Sequence, residues 1–126
     1  MLPTLLNVQY RMHPAISAFP AMHFYGGQLS DGVGPEDRHV PAGFSWPCEE
    51  VPVCLCPVAN GQERVDGTSF ENFAEAQEVV RVLKGFLSAG FGTSETGVVT
   101  PYGSQVRLIR RLLQQAGHPT GRDRGG

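Results

Sequence analysis

The alternation of apolar and polar positions in Leu6-Asn7-Val8-Gln9-Tyr10 predicts a short, half-buried strand that runs directly into a helix. Pro14 suits the first turn of that helix, where its missing N–H costs nothing. Ile16, Phe19, His23 and Phe24 fall on one face and form its expected core stripe. Pro20 is expected to break or kink the helix, because its ring meets the carbonyl four residues back, and Gly26-Gly27 closes the unit. From Gln28 to Glu50 periodicity is lost. Asp31-Gly32, Gly34-Pro35, Pro41, Gly43 and Pro47 predict a long loop there, anchored by Leu29, Phe44 and Trp46. Val51 to Val58 is a second strand candidate, with Val53 and Leu55 on one face and Cys54 and Cys56 on the other, before a turn at Asn60-Gly61.

The clearest helical pattern follows. Asn72 stands ahead of Ala76, Val79, Val80, Leu83, Phe86 and Leu87, and Glu75 occupies the third helical position. A capping Asn with an acid at that spacing satisfies the free N–H groups of a helix start, so a helix is predicted from Phe73 to Ala89, stopped by Gly90. Gly85 inside it should cost about 1 kcal/mol relative to Ala. Gly97 to Thr100 reads as a third strand, after which Thr100 caps a helix with Pro101 in its first turn. Val106, Ile109, Leu112, Leu113 and Ala116 form its apolar stripe, Arg107, Arg110, Arg111, Gln114 and Gln115 lie opposite, and Gly117 ends it. Alternating strands and helices of this kind predict an α/β domain with a parallel sheet, although three strands are few for such a sheet.

Composition adds limits. The length, 126 residues, suits one domain. With 16 Gly and 10 Pro, much of the chain must be turn or loop. No run approaches the roughly 18 apolar residues of a membrane span, and the beginning lacks the layout of a secretory signal; the expected setting is the cytoplasm or nucleus. Three cysteines without paired spacing fit a reducing compartment. Cys54 and Cys56 are expected to be small buried hydrophobes. A formal net charge of −2 makes the whole chain a poor electrostatic magnet for nucleic acid. Its end is different: Arg107, Arg110, Arg111, Arg122 and Arg124 face only Asp123, which suits either a solvated helix face and tail or a phosphate backbone.

Candidate chemistry narrows by exclusion. The single lysine, Lys84, lies in a helix pattern, so no phosphate-binding P-loop is present. The Gly-x-Gly fragments lack a third glycine, the His and Cys residues lack metal-ligand spacing, and no serine sits in a Gly-x-Ser-x-Gly elbow. Three places remain. Tyr10-Arg11 is either an aromatic capping the core beside an ion-paired arginine, or a ring and a guanidinium fork for a nucleotide's base and phosphate. Thr100-Pro101-Tyr102 with Gln105 is either a helix cap or a ligand-facing loop. Gly67-Thr68-Ser69 with Asn72 and Glu75 is most simply a cap.

In this order the three places resemble consecutive blocks of the second RecA-like domain of superfamily 1B helicases: Val8-Gln9-Tyr10-Arg11-Met12-His13-Pro14, then Gly67-Thr68-Ser69 with Asn72, Glu75 and Ala76, then Gly97-Val98-Val99-Thr100-Pro101-Tyr102 with Gln105. Ser17-Ala18-Phe19-Pro20, Phe24-Tyr25, Gly27, Leu29, Gly32, Phe44-Ser45-Trp46-Pro47 and Gly61-Gln62-Glu63 are similar to the up-frameshift branch, the RNA helicases of nonsense-mediated mRNA decay. The resemblance implies a partial RecA-like, P-loop NTPase-type α/β domain over residues 1–117, its sheet mostly parallel with several strands missing, and a disordered Gly/Arg-rich tail at 118–126. It implies ATP and Mg²⁺ as cofactors of the full-length helicase, with no metal ligand in this chain. Arg11 is then the catalytic arginine finger at the γ-phosphate, and Tyr10 stacks on adenine. Thr100, Pro101, Tyr102 and Arg107 are the implied nucleic-acid contacts. The implied partners are RNA, with DNA as the alternative, and the first RecA-like domain of the same helicase; no membrane is involved. The family's P-loop, its Mg²⁺-holding acidic motif and its later Gln- and Arg-bearing motifs do not occur in this sequence. The expected role is therefore one half of an ATP site in a longer helicase, the isolated chain being inactive. The alternative is a non-catalytic RNA-binding or protein-interaction fragment.

Overall fold

The computed structural model describes residues 3–118, so most of the expected Gly/Arg-rich tail lies outside the described residues. The fold is α/β, and its contacts divide it into two compact units, one of residues up to 41 with 45–55, the other of 42–44 with 56 onward.

In the first unit, β1 (Val8–Gln9) is followed by α1 (Pro14–Tyr25) and β2 (Ser30–Asp31). The strands pair in parallel, Val8 opposite Ser30 and Gln9 opposite Asp31, so α1 is the crossover that a parallel pair requires. The loop expected from Gln28 therefore supplies a strand that its lack of alternation concealed. His13 caps α1 by accepting the Ala15 N–H on Nδ1 at 3.0 Å, and Gly26 ends it in the left-handed region at φ +55°. α1 continues through Pro20, so the proline does not break it. Proline there removes only the one N–H that would reach the Ile16 carbonyl, and the rest of the ladder continues. The predicted core stripe is also inverted: Phe19 and Phe24 are 67% and 70% exposed, whereas Ser17 is buried. Phe19 stacks on His23 at 5.1 Å and His23 meets Phe24 edge-on at 4.7 Å, so the rings cover one another rather than a core. Trp46 anchors its segment as expected, its indole N–H donating to the Pro41 carbonyl at 2.7 Å.

Val51 to Val58 forms no strand. Its backbone bonds are local, Val51 N–H to Cys48 O and Val53 N–H to Val51 O, and Val53, Leu55 and Cys56 are exposed. A strand is defined by its neighbour, and among the described residues no segment pairs with this one. Gly97 to Thr100 fails for the same reason, leaving Val99 98% exposed.

The second unit contains β3 (Glu63–Asp66), β4 (Ser69–Asn72), α2 (Phe73–Ser88) and α3 (Gly103–Gln115). β3 and β4 form an antiparallel hairpin, Asp66 opposite Ser69. Gly67 takes φ +62° at the first central position of its two-residue turn, and the following Thr68 keeps a negative φ. That is what a type II′ hairpin turn asks of its residues. Asn72 caps α2, its Oδ1 accepting the Glu75 N–H at 3.1 Å. All four buried apolar side chains among the described residues, Ala76, Val80, Leu108 and Ile109, meet between α2 and α3, flanked by Val79, Leu112 and Leu113. α3 begins two residues later than the proline suggested. Thr100 accepts the Tyr102 N–H at 3.4 Å, closing a turn ahead of the helix instead of capping it.

Gly85 acquires a purpose in this packing. Gly43 crosses α2 at that point, and a Cβ built on Gly85 would collide with the Gly43 carbonyl oxygen. Helix propensity alone would make Gly85→Ala a gain of about 1 kcal/mol. The close approach reverses the sign, and Gly85→Ala is expected to lower the thermal unfolding midpoint. A midpoint at or above that of the parent would show that residues 42–44 do not rest on α2.

Candidate functional site

Tyr10 and Arg11 stand on a four-residue turn between β1 and α1, and the Gln9 side chain closes that turn. Its carboxamide oxygen accepts the backbone N–H groups of Arg11 (3.0 Å) and Met12 (2.7 Å). Its NH₂ donates to the Met12 carbonyl (2.8 Å) and to Asp31 Oδ1 (2.7 Å). One side chain thereby uses its two donors and both lone pairs of its acceptor. Asp31 Oδ1 also accepts the Ser17 hydroxyl at 2.5 Å, tying the turn to α1 and β2 together. The Ser17 hydroxyl, followed by the Gln9 amide, holds the Asp31 carboxyl below its ordinary value.

Above this base, the Tyr10 ring lies against Gly32, where any Cβ would collide with it. The ring is 63% exposed. Arg38 reaches the same turn and donates to the Tyr10 and Arg11 carbonyls. Arg11 is exposed, and among the described residues no acid pairs with its guanidinium. The ion-paired alternative for this arginine therefore has no counterpart in the described residues, and the ring and the fork remain available to a ligand.

Thr100, Pro101, Tyr102 and Arg107 lie in the second unit. The Tyr102 ring meets Phe70 edge-on at 5.3 Å. Thr100, Pro101, Tyr102 and Gln105 share a recess of about 200 Å³ with Glu63, Glu71 and Glu75. Gln105 spans from α3 to the end of β4, its Oε1 accepting the Asn72 N–H (2.8 Å) and its NH₂ donating to the Asn72 carbonyl (3.0 Å). Arg107 is engaged within the protein: its Nη2 donates to Asp66 Oδ2 (3.1 Å) and to the Ser104 hydroxyl (2.7 Å). Ser104 in turn donates its hydroxyl to Asp66 at 2.7 Å and its backbone N–H to Ser69 Oγ at 3.2 Å. The Ser104 hydroxyl and then Arg107 keep the Asp66 carboxyl below its ordinary value. Gln9, Arg38, Gly32, Asp31, Ser17 and Asp66 were not legible as site residues. Gln9 belongs to the strand-to-helix motif and Ser17 and Gly32 to the branch similarity, but none of the three carries a role in the sequence, and nothing in their spacing links Arg38 to Tyr10. Gly67-Thr68, a glycine at the first of two central positions, was a readable hairpin signal.

Among the described residues no group of three His, Cys, Asp or Glu side chains could hold a metal ion, and no helix is long and apolar enough to cross a membrane.

The chain belongs to the AAA domain family, whose model matches residues 1–121, and its α/β fold is RecA-like. More particularly, it is similar to the regulators of nonsense transcripts. It is 42% identical over 117 residues to the Regulator of nonsense transcripts 1 homolog of Drosophila melanogaster. It is 40% identical over 118 residues to the homolog of Arabidopsis thaliana, and 40% identical over 119 residues to the ATP-dependent helicase NAM7 of Saccharomyces cerevisiae. Each comparison takes in 91% of this chain but only 10%, 9% and 12% of the respective relative. The chain thus spans about a tenth of the length of the relatives it matches.

Two carboxyls held low by neighbouring hydroxyls, Asp31 and Asp66, set the direction of the pH response, and Glu78, lowered by Arg81, acts in the same direction. A carboxylate whose pKa falls on folding stabilises the folded state fully above its unfolded value, and that contribution fades as pH falls through the folded value. Stability attributable to the pair is expected to be constant from pH 7 down to about 5 and to decline below about 3.9, the unperturbed Asp value. Asp66→Asn should flatten its share of that decline in urea titrations at successive pH values. An unchanged decline in this variant would remove Asp66 from the account.

Proposed function

We propose that this chain supplies the second-domain face of an interdomain ATP site in an ATP-dependent helicase, acting on RNA, or on DNA in the alternative. The observation that carries it is Arg11, exposed and with no acid paired to it among the described residues, on a turn whose backbone is held by Gln9 and Arg38, with the Tyr10 ring beside it. Tyr10 stacks on the adenine, and Arg11 donates to γ-phosphate oxygens as charge spreads over the transferring phosphoryl group. Residues 1–117 are the partial second RecA-like domain in this reading. The P-loop and the Mg²⁺ ligands belong to the first RecA-like domain of the same helicase, and ATP is shared between the two. The setting is the cytoplasm or nucleus, away from membranes.

Magnitudes make the partner domain obligatory. Stacking by Tyr10 contributes about 0.5–1.5 kcal/mol and a charge-assisted contact from Arg11 about 1.5–3 kcal/mol. Their sum reaches only about the 4.1 kcal/mol of millimolar affinity, before the cost of association is subtracted. The isolated chain is therefore expected to leave ATP unhydrolysed.

The nucleic-acid contact falls to the Thr100–Tyr102 loop. Tyr102 places no side-chain cap on α3, and Ser69 takes only the Ser104 N–H, so the Gly103 N–H and the Thr100 hydroxyl are suited to a phosphate at the rim. Glu63, Glu71 and Glu75 repel phosphate from the recess itself. Arg107 supports that loop through Ser104 and Asp66.

In a complete helicase carrying this segment, Arg11→Ala is expected to reduce ATP turnover by about 10³- to 10⁵-fold, the range for arginine fingers. Nucleic-acid affinity should stay within about twofold. Turnover within a few-fold of the parent would exclude the finger role.

A further inference from the structure

Arg38 lies far from the Tyr10-Arg11 motif in sequence, yet its guanidinium is spent entirely on backbone carbonyls. Nε donates to the Arg11 carbonyl at 2.9 Å, Nη2 to the Tyr10 carbonyl at 2.7 Å and Nη1 to the Asp37 carbonyl at 2.8 Å. Among the described residues no acid pairs with it. Its own base is stiff: Asp37 accepts the Gly34 N–H at 2.9 Å, and the Asp37 and Arg38 N–H groups fold back onto Gly34 and Pro35.

We propose that Arg38 is a positioning residue for Arg11, a statement that rests on Arg11 meeting the γ-phosphate. Two adjacent N–H bonds from one rigid, planar fork fix both the 10–11 and the 11–12 peptide planes, and those two planes set the direction in which the Arg11 side chain leaves the backbone. Gln9 holds the same turn from the N–H side through Arg11 and Met12, so the two side chains grip opposite edges of the same peptides. The need is positional, since a misplacement of about 1 Å at a reacting group costs up to about 10²-fold in rate. Lysine keeps the charge and the reach but lacks the fork, so Arg38→Lys separates geometry from electrostatics.

The test uses the complete helicase carrying this segment, with ATP turnover measured in the presence of nucleic acid for Arg38→Lys, Arg38→Ala, Arg11→Ala and the double variant Arg38→Ala with Arg11→Ala. Arg38→Lys is expected to lower kcat by about 10- to 100-fold and to leave the KM for ATP and the thermal midpoint near those of the parent. The double variant should turn over within about twofold of Arg11→Ala alone, because a finger already removed cannot be misplaced. If Arg38→Lys keeps the parental kcat while Arg11→Ala is inactive, the positioning role falls and the finger stands. A kcat that declines only together with the thermal midpoint, or losses that multiply in the double variant, likewise overturns the positioning role. Parental turnover in Arg11→Ala would overturn the finger, and Arg38's role with it.

Discussion

The first unit depends on the carboxamide of Gln9. Two backbone N–H groups, one carbonyl and one carboxylate converge on it, and this single side chain joins the end of β1, the start of α1 and, through Asp31, β2. No apolar side chain in the unit is buried among the described residues. Its order comes from satisfied polar groups, each modest in net value, about 0.5–1.5 kcal/mol, but expensive to leave unpaired. Such a network specifies geometry more than it supplies stability. That distribution suits a turn whose task is to hold two side chains in fixed directions.

The second unit solves a similar problem with the same kind of side chain. Gln105 makes a two-way bond to the backbone of Asn72, which is also the cap of α2. The start of α3, the end of β4 and the start of α2 are therefore registered at one residue. Below that latch the apolar contact of α2 with α3 carries the burial, through Ala76, Val80, Leu108 and Ile109. Ser104 and Arg107 then pull Asp66, at the tip of the hairpin, onto α3. The Thr100–Tyr102 loop is placed by these contacts from behind, leaving its own polar groups on the rim of the recess.

Local patterns that close within a few residues were legible. The Asn72 cap, the α2 stripe, the Gly26 stop and the Trp46 anchor all appear where the residues predict them. The α/β class also follows from the alternation of elements. What failed depended on distant partners. Val53, Leu55 and Val99 have the composition of strands, but strand identity is a property of a pair, and among the described residues they have none. The α1 stripe looked like a core face because its residues are apolar, while the surface opposite α1 offers Asp31 and so buries Ser17. At the candidate site, Tyr10 and Arg11 were identifiable by type. Their supports were not, since Arg38 touches them across 27 positions of sequence through backbone atoms that every residue possesses.

Among the described residues no acid pairs with Arg11, which bears directly on what the turn can do. An exposed guanidinium is well solvated, so leaving it unpaired costs the fold little, and an exposed ion pair would return about 1 kcal/mol or less. A carboxylate partner would, however, have to be displaced before a phosphate could bind, and it would offset part of the charge that stabilises a transferring phosphoryl group. Anchoring Arg11 through its backbone avoids that conflict. Gln9 holds the turn with a neutral amide and Arg38 holds its carbonyls with a guanidinium, which adds positive charge near Arg11 instead of cancelling it. In the proposed reading, position is fixed by the main chain, and the whole charge of the side chain is left for the phosphate.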